Sequence, residues 1–492
     1  MEPVLKSEAT STRRGTKALF ASTLVVQIAA LLRYVLLARL LGPEQLGLAA
    51  TLILTQSFFD SATDLAADRF LVQDRDGDDA SVQHFVQFVL VGRGMLIAVG
   101  LVLSAWPLAY FYNAPQLAPA LAAMAVYPLA ASFIHLDMKR FQRKNDFRAE
   151  AAGSVVSEIA ALIATVLAAY LTRSYVAVLF GLVVRSLGLV AVSHILAERK
   201  YRLKYYKEHS VRVARFSAPL MLVGLILFFA GQGDRVLVAR NIGFAGLGYY
   251  SAVILLILYP SGALHGFVHT MYMPVIAGAR ADATRRSAII AKFGSETVLL
   301  SLSMAAGFAV VAPFAIPILY GNRFQQSVFT VALIGVLQCT RYLSVWPATV
   351  GLAMGRSGIV LANNVVRLIA WPAALLGVWL GYGLVGIVLG FIFGELIGAA
   401  WALVMVNRSE EKPMLYGFGR FALFIAGAAD IIAWAFFAGR FSLAGFGALL
   451  VLTAILLAWA VYSQADTIAG AIATARKLID TSVYKGYLGK TG

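Results

Sequence analysis

Long apolar runs broken by short polar connections recur from residue 17 to residue 464. They fall at about 17–40, 45–67, 84–110, 117–136, 151–171, 177–197, 213–239, 247–273, 293–317, 328–352, 359–379, 384–406, 420–438 and 444–464. Each is close to the roughly 20 residues a helix needs to cross about 30 Å of hydrocarbon. No strand-like alternation accompanies them, and backbone groups in hydrocarbon must bond within their own segment. The pattern predicts an all-α integral membrane protein with about 14 transmembrane helices. The connections leave no room for a soluble catalytic domain.

Composition agrees with this. The 492 residues are 60% hydrophobic and 13% charged, against about 45–50% and 25% in soluble domains. The net charge of +16 does not indicate a nucleic-acid partner, because the basic residues sit in short loops between apolar spans. Assigning alternate loops to one side puts about 29 of the 41 Lys and Arg there. That side is expected to be cytoplasmic, with both termini on it, in a multi-pass inner-membrane protein. No small-residue cleavage site follows the first run, so that run is expected to stay as a signal anchor. The acidic loop at residues 74–79 is expected to be solvated. The single Cys339 excludes an intramolecular disulfide and a cysteine-based metal site.

The chain also repeats itself. Residues 35–48, VLLARLLGPEQLGL, match residues 236–249, VLVARNIGFAGLGY, at a constant offset of 201, with Arg39, Gly42 and Gly47 falling on Arg240, Gly243 and Gly248. Six spans separate the copies, so the repeat is parallel, about an axis along the membrane normal. The expected organisation is a cytoplasmic segment at 1–16, an N-lobe of six helices at 17–197, a basic linker at 198–212 and a second six-helix lobe at 213–406. Two extra helices at 407–464 and an amphipathic cytoplasmic tail at 465–492 complete it.

The LARLLGPEQLG pattern at 37–47, its echo at 238–248, the Leu319-Tyr320-Gly321 turn, the span count and the basic loops resemble the polysaccharide transporter family. That family belongs to the superfamily of multidrug, oligosaccharidyl-lipid and polysaccharide flippases. The resemblance implies translocation of undecaprenyl diphosphate-linked oligosaccharide repeat units by alternating access. Membrane lipids, a polysaccharide polymerase and export machinery are the implied partners. A lipid II flippase or a cation-coupled multidrug antiporter is the alternative; a membrane-embedded polymerase or ligase is disfavoured by the short outer loops.

A charge near the bilayer centre is costly, so each intramembrane charge needs a partner or a wet cavity. Arg33, Arg39, Arg93, Arg341 and Arg367 are the candidate substrate-binding residues, since guanidinium forks suit a diphosphate. Their alternative is local pairing or snorkelling. Asp60, Asp64 and Asp68 recur every four residues and are expected to share one helical face. The repeat offset carries them onto Ser261, His265 and His269, and carries Arg33 onto Asp234. Asp60, Asp64, Asp234, His265 and His269 are therefore candidates for gating or ion coupling, with protons or sodium as the coupling ion. Glu158 and Arg185 are placed to neutralise each other. No phosphate loop, metal-ligand spacing or catalytic motif is present, and neither an enzyme activity nor an organic cofactor is expected.

Overall fold

The computed structural model describes residues 2–144, 146–408 and 415–438, and these contain helices but no strand. The expected last span at 444–464, the tail from 465 and the side chain of His265 lie outside the described residues.

The chain runs α1 (Glu2–Leu41), α2 (Pro43–Ala62), α3 (Ala67–Gln73), α4 (Ala80–Phe111), α5 (Ala118–Ala123), α6 (Val126–Ser132), α7 (Asp137–Arg143), α8 (Arg148–Thr172) and α9 (Ala177–Ile195). It continues with α10 (Lys207–Asn241), α11 (Phe244–Gly278), α12 (Ala283–Tyr320), α13 (Val328–Leu343), α14 (Val345–Ala353), α15 (Ser357–Arg367), α16 (Ala370–Trp379), α17 (Gly383–Arg408) and α18 (Leu415–Phe437). Among the described residues, eleven helices or helix pairs are long and apolar enough to span a membrane, and a twelfth arises if the bent pair from Pro115 to Arg143 is one span. α2, which is less apolar than these, stands where a further span is expected.

Several expected spans are broken, each for a local reason. The run at 45–67 ends at Ala62, because the Asp64 carboxylate takes the backbone N–H of Ala66 at 2.9 Å and Ala66 turns left-handed at φ 44°. This short side-chain turn competes with the helix. Asp60, Asp64 and Asp68 consequently lie on α2, in the break and on α3, and the expectation of one continuous acidic face is corrected. The run at 117–136 divides into α5 and α6, and α7 follows at a bend of 55°. The acidic loop is not simply solvated: Arg212 pairs with Asp74 and Asp76 at 2.5 and 3.0 Å, and Arg143 donates to the carbonyls of Leu71, Val72 and Asp74.

The residues group into two compact units, the first up to Leu255 together with Ile316–Gln325, the second formed by Leu256–Ala315 and the residues from Gln326 onward. In the first, α8 packs lengthwise on α9 and α1. A Cβ added to Gly181 of α9 would stand 2.0 Å from Thr165 Oγ1 of α8, so the missing side chain sets how closely these helices approach. In the second unit, Gly386, Gly390, Gly394 and Gly398 recur every four residues down one line of α17. Cβ atoms there would meet Gly377, Ala374, Ala370 and the Arg367 Cγ at 2.3–2.6 Å. Small residues let helix backbones touch where lipid offers no hydrophobic drive for association. In this case they also carry Arg367 alongside Glu395, the neighbour of Gly394.

Candidate functional site

In the first unit, Glu158 of α8 is 2% exposed and lies between two arginines. Arg33 Nη2 of α1 and Arg185 Nε of α9 each stand 3.0 Å from one of its oxygens. The sequence pairs Glu158 with Arg185; Arg33 joins them because α1 packs along α8. Two guanidinium groups share one carboxylate, so the cluster carries a formal charge of +1 inside three apolar helices.

The second unit holds a cluster of the same composition on different helices. Glu395 Oε1 of α17 accepts from Arg367 Nη2 of α15 at 2.5 Å and from Arg341 Nε of α13 at 3.4 Å. Arg367 also donates to Asn364 Oδ1 at 2.7 Å, and Arg341 to Gln338 Oε1 at 3.4 Å. No local signal in the sequence marks Glu395 as the meeting point of both candidate arginines.

Arg93 and Arg39 do different work. Arg93 Nη2 donates to the Asp60 carbonyl at 2.9 Å and its Nε to Thr63 Oγ1 at 3.1 Å, which satisfies carbonyl and hydroxyl groups exposed where α2 stops. Asp60 itself receives the Tyr127 hydroxyl at 2.7 and 2.5 Å. Asp60, Arg93 and Tyr127, with Asp64, Asp68, His135 and Lys139, line a cavity of about 450 Å³ in the first unit. Within it Asp64 pairs with Arg69 at 3.2 Å and Asp68 with Lys139 at 3.7 Å.

Arg39 clamps the end of α12, its Nε donating to the Leu319 carbonyl at 2.7 Å and its Nη2 to that of Ile318. The Leu319-Tyr320-Gly321 turn is thus the partner of the first repeat's arginine. Arg240, its echo, lies over the ring of Phe111 at the end of α4, 5.8 Å from the ring centre. Between these contacts the repeat's glycines meet reciprocally. A Cβ on Gly47 would fall 1.8 Å from the Phe244 carbonyl oxygen, and one on Gly248 would fall 1.9 Å from that of Pro43. The first turns of α2 and α11 can touch only because both positions lack a side chain.

The remaining candidates are separate. Asp234 is fully buried and accepts the Tyr250 hydroxyl, across the α10–α11 hairpin that turns at Gly243. His269 Nδ1 lies 2.8 Å from Thr349 Oγ1 in the second unit, where Tyr272 also donates to Glu296. Tyrosine as the partner of Asp60, Asp234 and Glu296 is a feature that sequence reasoning missed altogether.

Among curated proteins the chain is similar to the succinoglycan biosynthesis transport protein ExoT of Rhizobium meliloti (strain 1021), at 25% identity over 78% of this chain and 77% of that one. It is also similar to the lipopolysaccharide biosynthesis protein WzxC of Escherichia coli (strain K12), at 20% identity over 82% and 81%. Among solved structures, the lipid II flippase MurJ in an inward closed conformation matches with a TM-score of 0.59 at 14% identity, over 91% of this chain and 99% of that one. An inward-facing multidrug resistance transporter of the MATE family matches with a TM-score of 0.59 at 14% identity, over 82% and 96%. These likenesses give the fold. The model of the family described as polysaccharide biosynthesis protein matches residues 36–329, more than half of the chain, and the chain belongs to that family.

Proposed function

We propose that this protein is a flippase, not an enzyme, and that it moves undecaprenyl diphosphate-linked oligosaccharide repeat units from the cytoplasmic to the periplasmic leaflet of a bacterial inner membrane. Family membership supports the class, and the names of ExoT and WzxC support polysaccharide assembly as the setting. The observation that carries the choice of an anionic cargo is the surplus of guanidinium over carboxylate in two intramembrane clusters, Arg33-Glu158-Arg185 and Arg341-Glu395-Arg367. A cationic cargo would call instead for unengaged carboxylates. Asp60, Asp234 and Glu296 are all occupied by tyrosine hydroxyls.

In this mechanism, lobes at 17–197 and 213–406 alternate access to the two leaflets, with both termini in the cytoplasm. The contact of Gly47 and Gly248 with the opposite helix's first turn is one end of that cycle. Asp60, Asp64, Asp234, His265 and His269 are the groups through which a proton or sodium gradient would act. A polysaccharide polymerase and export machinery would take up the product.

Deletion of the gene in its host tests the function. A lipid-linked oligosaccharide should accumulate on the cytoplasmic side while extracellular polysaccharide is lost, and plasmid-borne protein should restore export. Loss of polysaccharide without an accumulating lipid-linked precursor would point to polymerisation or ligation and end the flippase assignment.

A further inference from the structure

We propose that Arg185 is a phosphate-binding residue, presenting the outer edge of its guanidinium to the phosphate or diphosphate of a lipid at mid-membrane depth. The proposal rests on the flippase function above and deepens it.

Arg185 lies at the centre of α9, nine residues into a helix of 19. Its Nε is held by Glu158. Among the described residues its two Nη nitrogens have no hydrogen-bond partner, and the side chain is 49% exposed. Its place on the helix sets that exposure apart from the exposed apolar residues of α9. Phe180 and Leu187, 51% and 53% exposed, mark the apolar outer stripe of α9. At about 100° per residue, Arg185 stands roughly 140° round the helix from Phe180. Its own line holds Val178 and Gly181, both buried, and Gly181 abuts Thr165 of α8.

A guanidinium half-exposed in mid-span needs water or an anion on that face. With Nε committed to Glu158, the Nη1/Nη2 edge is left, and this fork accepts two oxygens of one oxyanion. Glu158, a single carboxylate beside both Arg33 and Arg185, offsets one unit of positive charge and so lowers the pull on an anion. Depth selects the ligand: an anion reaches the middle of a span most readily when a lipid carries it, and the common lipid-borne oxyanions are phosphate and diphosphate.

The test uses the full-length protein in nanodiscs of neutral lipid. Binding of a polyprenyl diphosphate and, separately, of inorganic pyrophosphate is measured for the wild type, Arg185→Ala, Arg185→Lys and Glu158→Gln. Loss of the bidentate charge-assisted contact should weaken lipid binding about tenfold or more in Arg185→Ala. Arg185→Lys, which keeps charge without the fork, should fall between. Glu158→Gln raises the cluster to +2 and should bind more tightly, an outcome that a merely structural role for Arg185 would not produce. Melting temperatures identify any variant that fails to fold, and Arg185→Lys then carries the comparison.

Equal lipid binding by wild type and Arg185→Ala, no binding by the wild type, or Arg185-dependent binding of pyrophosphate alone would each overturn the proposal. Export by the Arg185→Ala protein in the deletion strain separates the two levels. Full export there would remove Arg185 from the mechanism and leave the flippase function standing.

Discussion

Each unit buries one glutamate between two arginines, and the two clusters differ in what happens to the second positive charge. Around Glu395, Arg341 and Arg367 are 12% and 13% exposed, and amide oxygens of Gln338 and Asn364 take further N–H groups. Around Glu158, Arg33 is 24% and Arg185 49% exposed. Equal composition therefore produces a sealed network in one place and an open cation in the other. The packing neighbours decide it. The glycine line of α17 brings α16 and Arg367 close enough to close the site over Glu395, whereas α9 carries Arg185 past its close contact at Gly181. The Glu395 cluster closes both of its guanidinium groups off, and the Glu158 cluster leaves Arg185 half open.

The sharpest way to break this contrast is to remove each glutamate. Glu395→Gln strands two guanidinium groups in a sealed site and should cost about 3–5 kcal/mol, the usual penalty for breaking a buried pair from one side. Protein level in the membrane and melting temperature in detergent should both fall. Glu158→Gln also removes a buried carboxylate, but Arg185 is half exposed, so the loss should be smaller than at Glu395. Equal losses would mean that exposure does not separate the clusters. Replacing the whole sealed cluster by Arg341→Met, Arg367→Met and Glu395→Leu should recover most of the lost stability, since apolar residues of similar volume commonly match a buried ionic group. The corresponding replacement of Arg33, Glu158 and Arg185 should leave folded protein that no longer exports polysaccharide.

Where the clusters diverge, the two repeat copies agree, and this gives a second, smaller test. Gly47→Ala and Gly248→Ala each drive a Cβ into the opposite helix's carbonyl and should cost similar amounts, about 1–3 kcal/mol, as overpacked sites do. Gly231→Ala on α10, where a Cβ would meet open space, should be neutral or slightly stabilising. Paired melting curves check this, and a large inequality between Gly47 and Gly248 would show that the repeat in sequence is not a repeat in contacts.

The spans were legible because hydropathy is summed along the chain, and the positions of α4, α8, α9 and α17 follow the apolar runs closely. The breaks were not, because they are decided by one or two residues that a sum over twenty hides. The Asp64 carboxylate on the Ala66 N–H and the interruption between α15 and α16 next to Arg367 are of this kind. The repeat pointed to Arg39 and the glycines as a motif, but not to what they touch. Each meets a residue far along the chain, Leu319 for Arg39 and Phe244 for Gly47. Intramembrane charge was equally visible and its pairing equally hidden. An arginine reads the same whether Glu395 encloses it or Glu158 holds only one of its edges.

The smallest expected difference lies between the two repeat arginines. Arg39 donates to two carbonyls in the last turn of α12, where unpaired backbone oxygens and the negative end of the helix dipole both favour a cation. Arg240 has the ring face of Phe111 at the end of α4, a contact worth about 0.5–1 kcal/mol at an exposed position. Arg39→Ala should therefore lower stability by about 1 kcal/mol and Arg240→Ala by roughly half as much. Raised salt should narrow the gap, because the charge–dipole share is screened while hydrogen-bond geometry is not. Melting curves at low and high ionic strength check both statements, and a larger loss at Arg240 would place the main brace at α4 rather than at the Leu319-Tyr320-Gly321 turn.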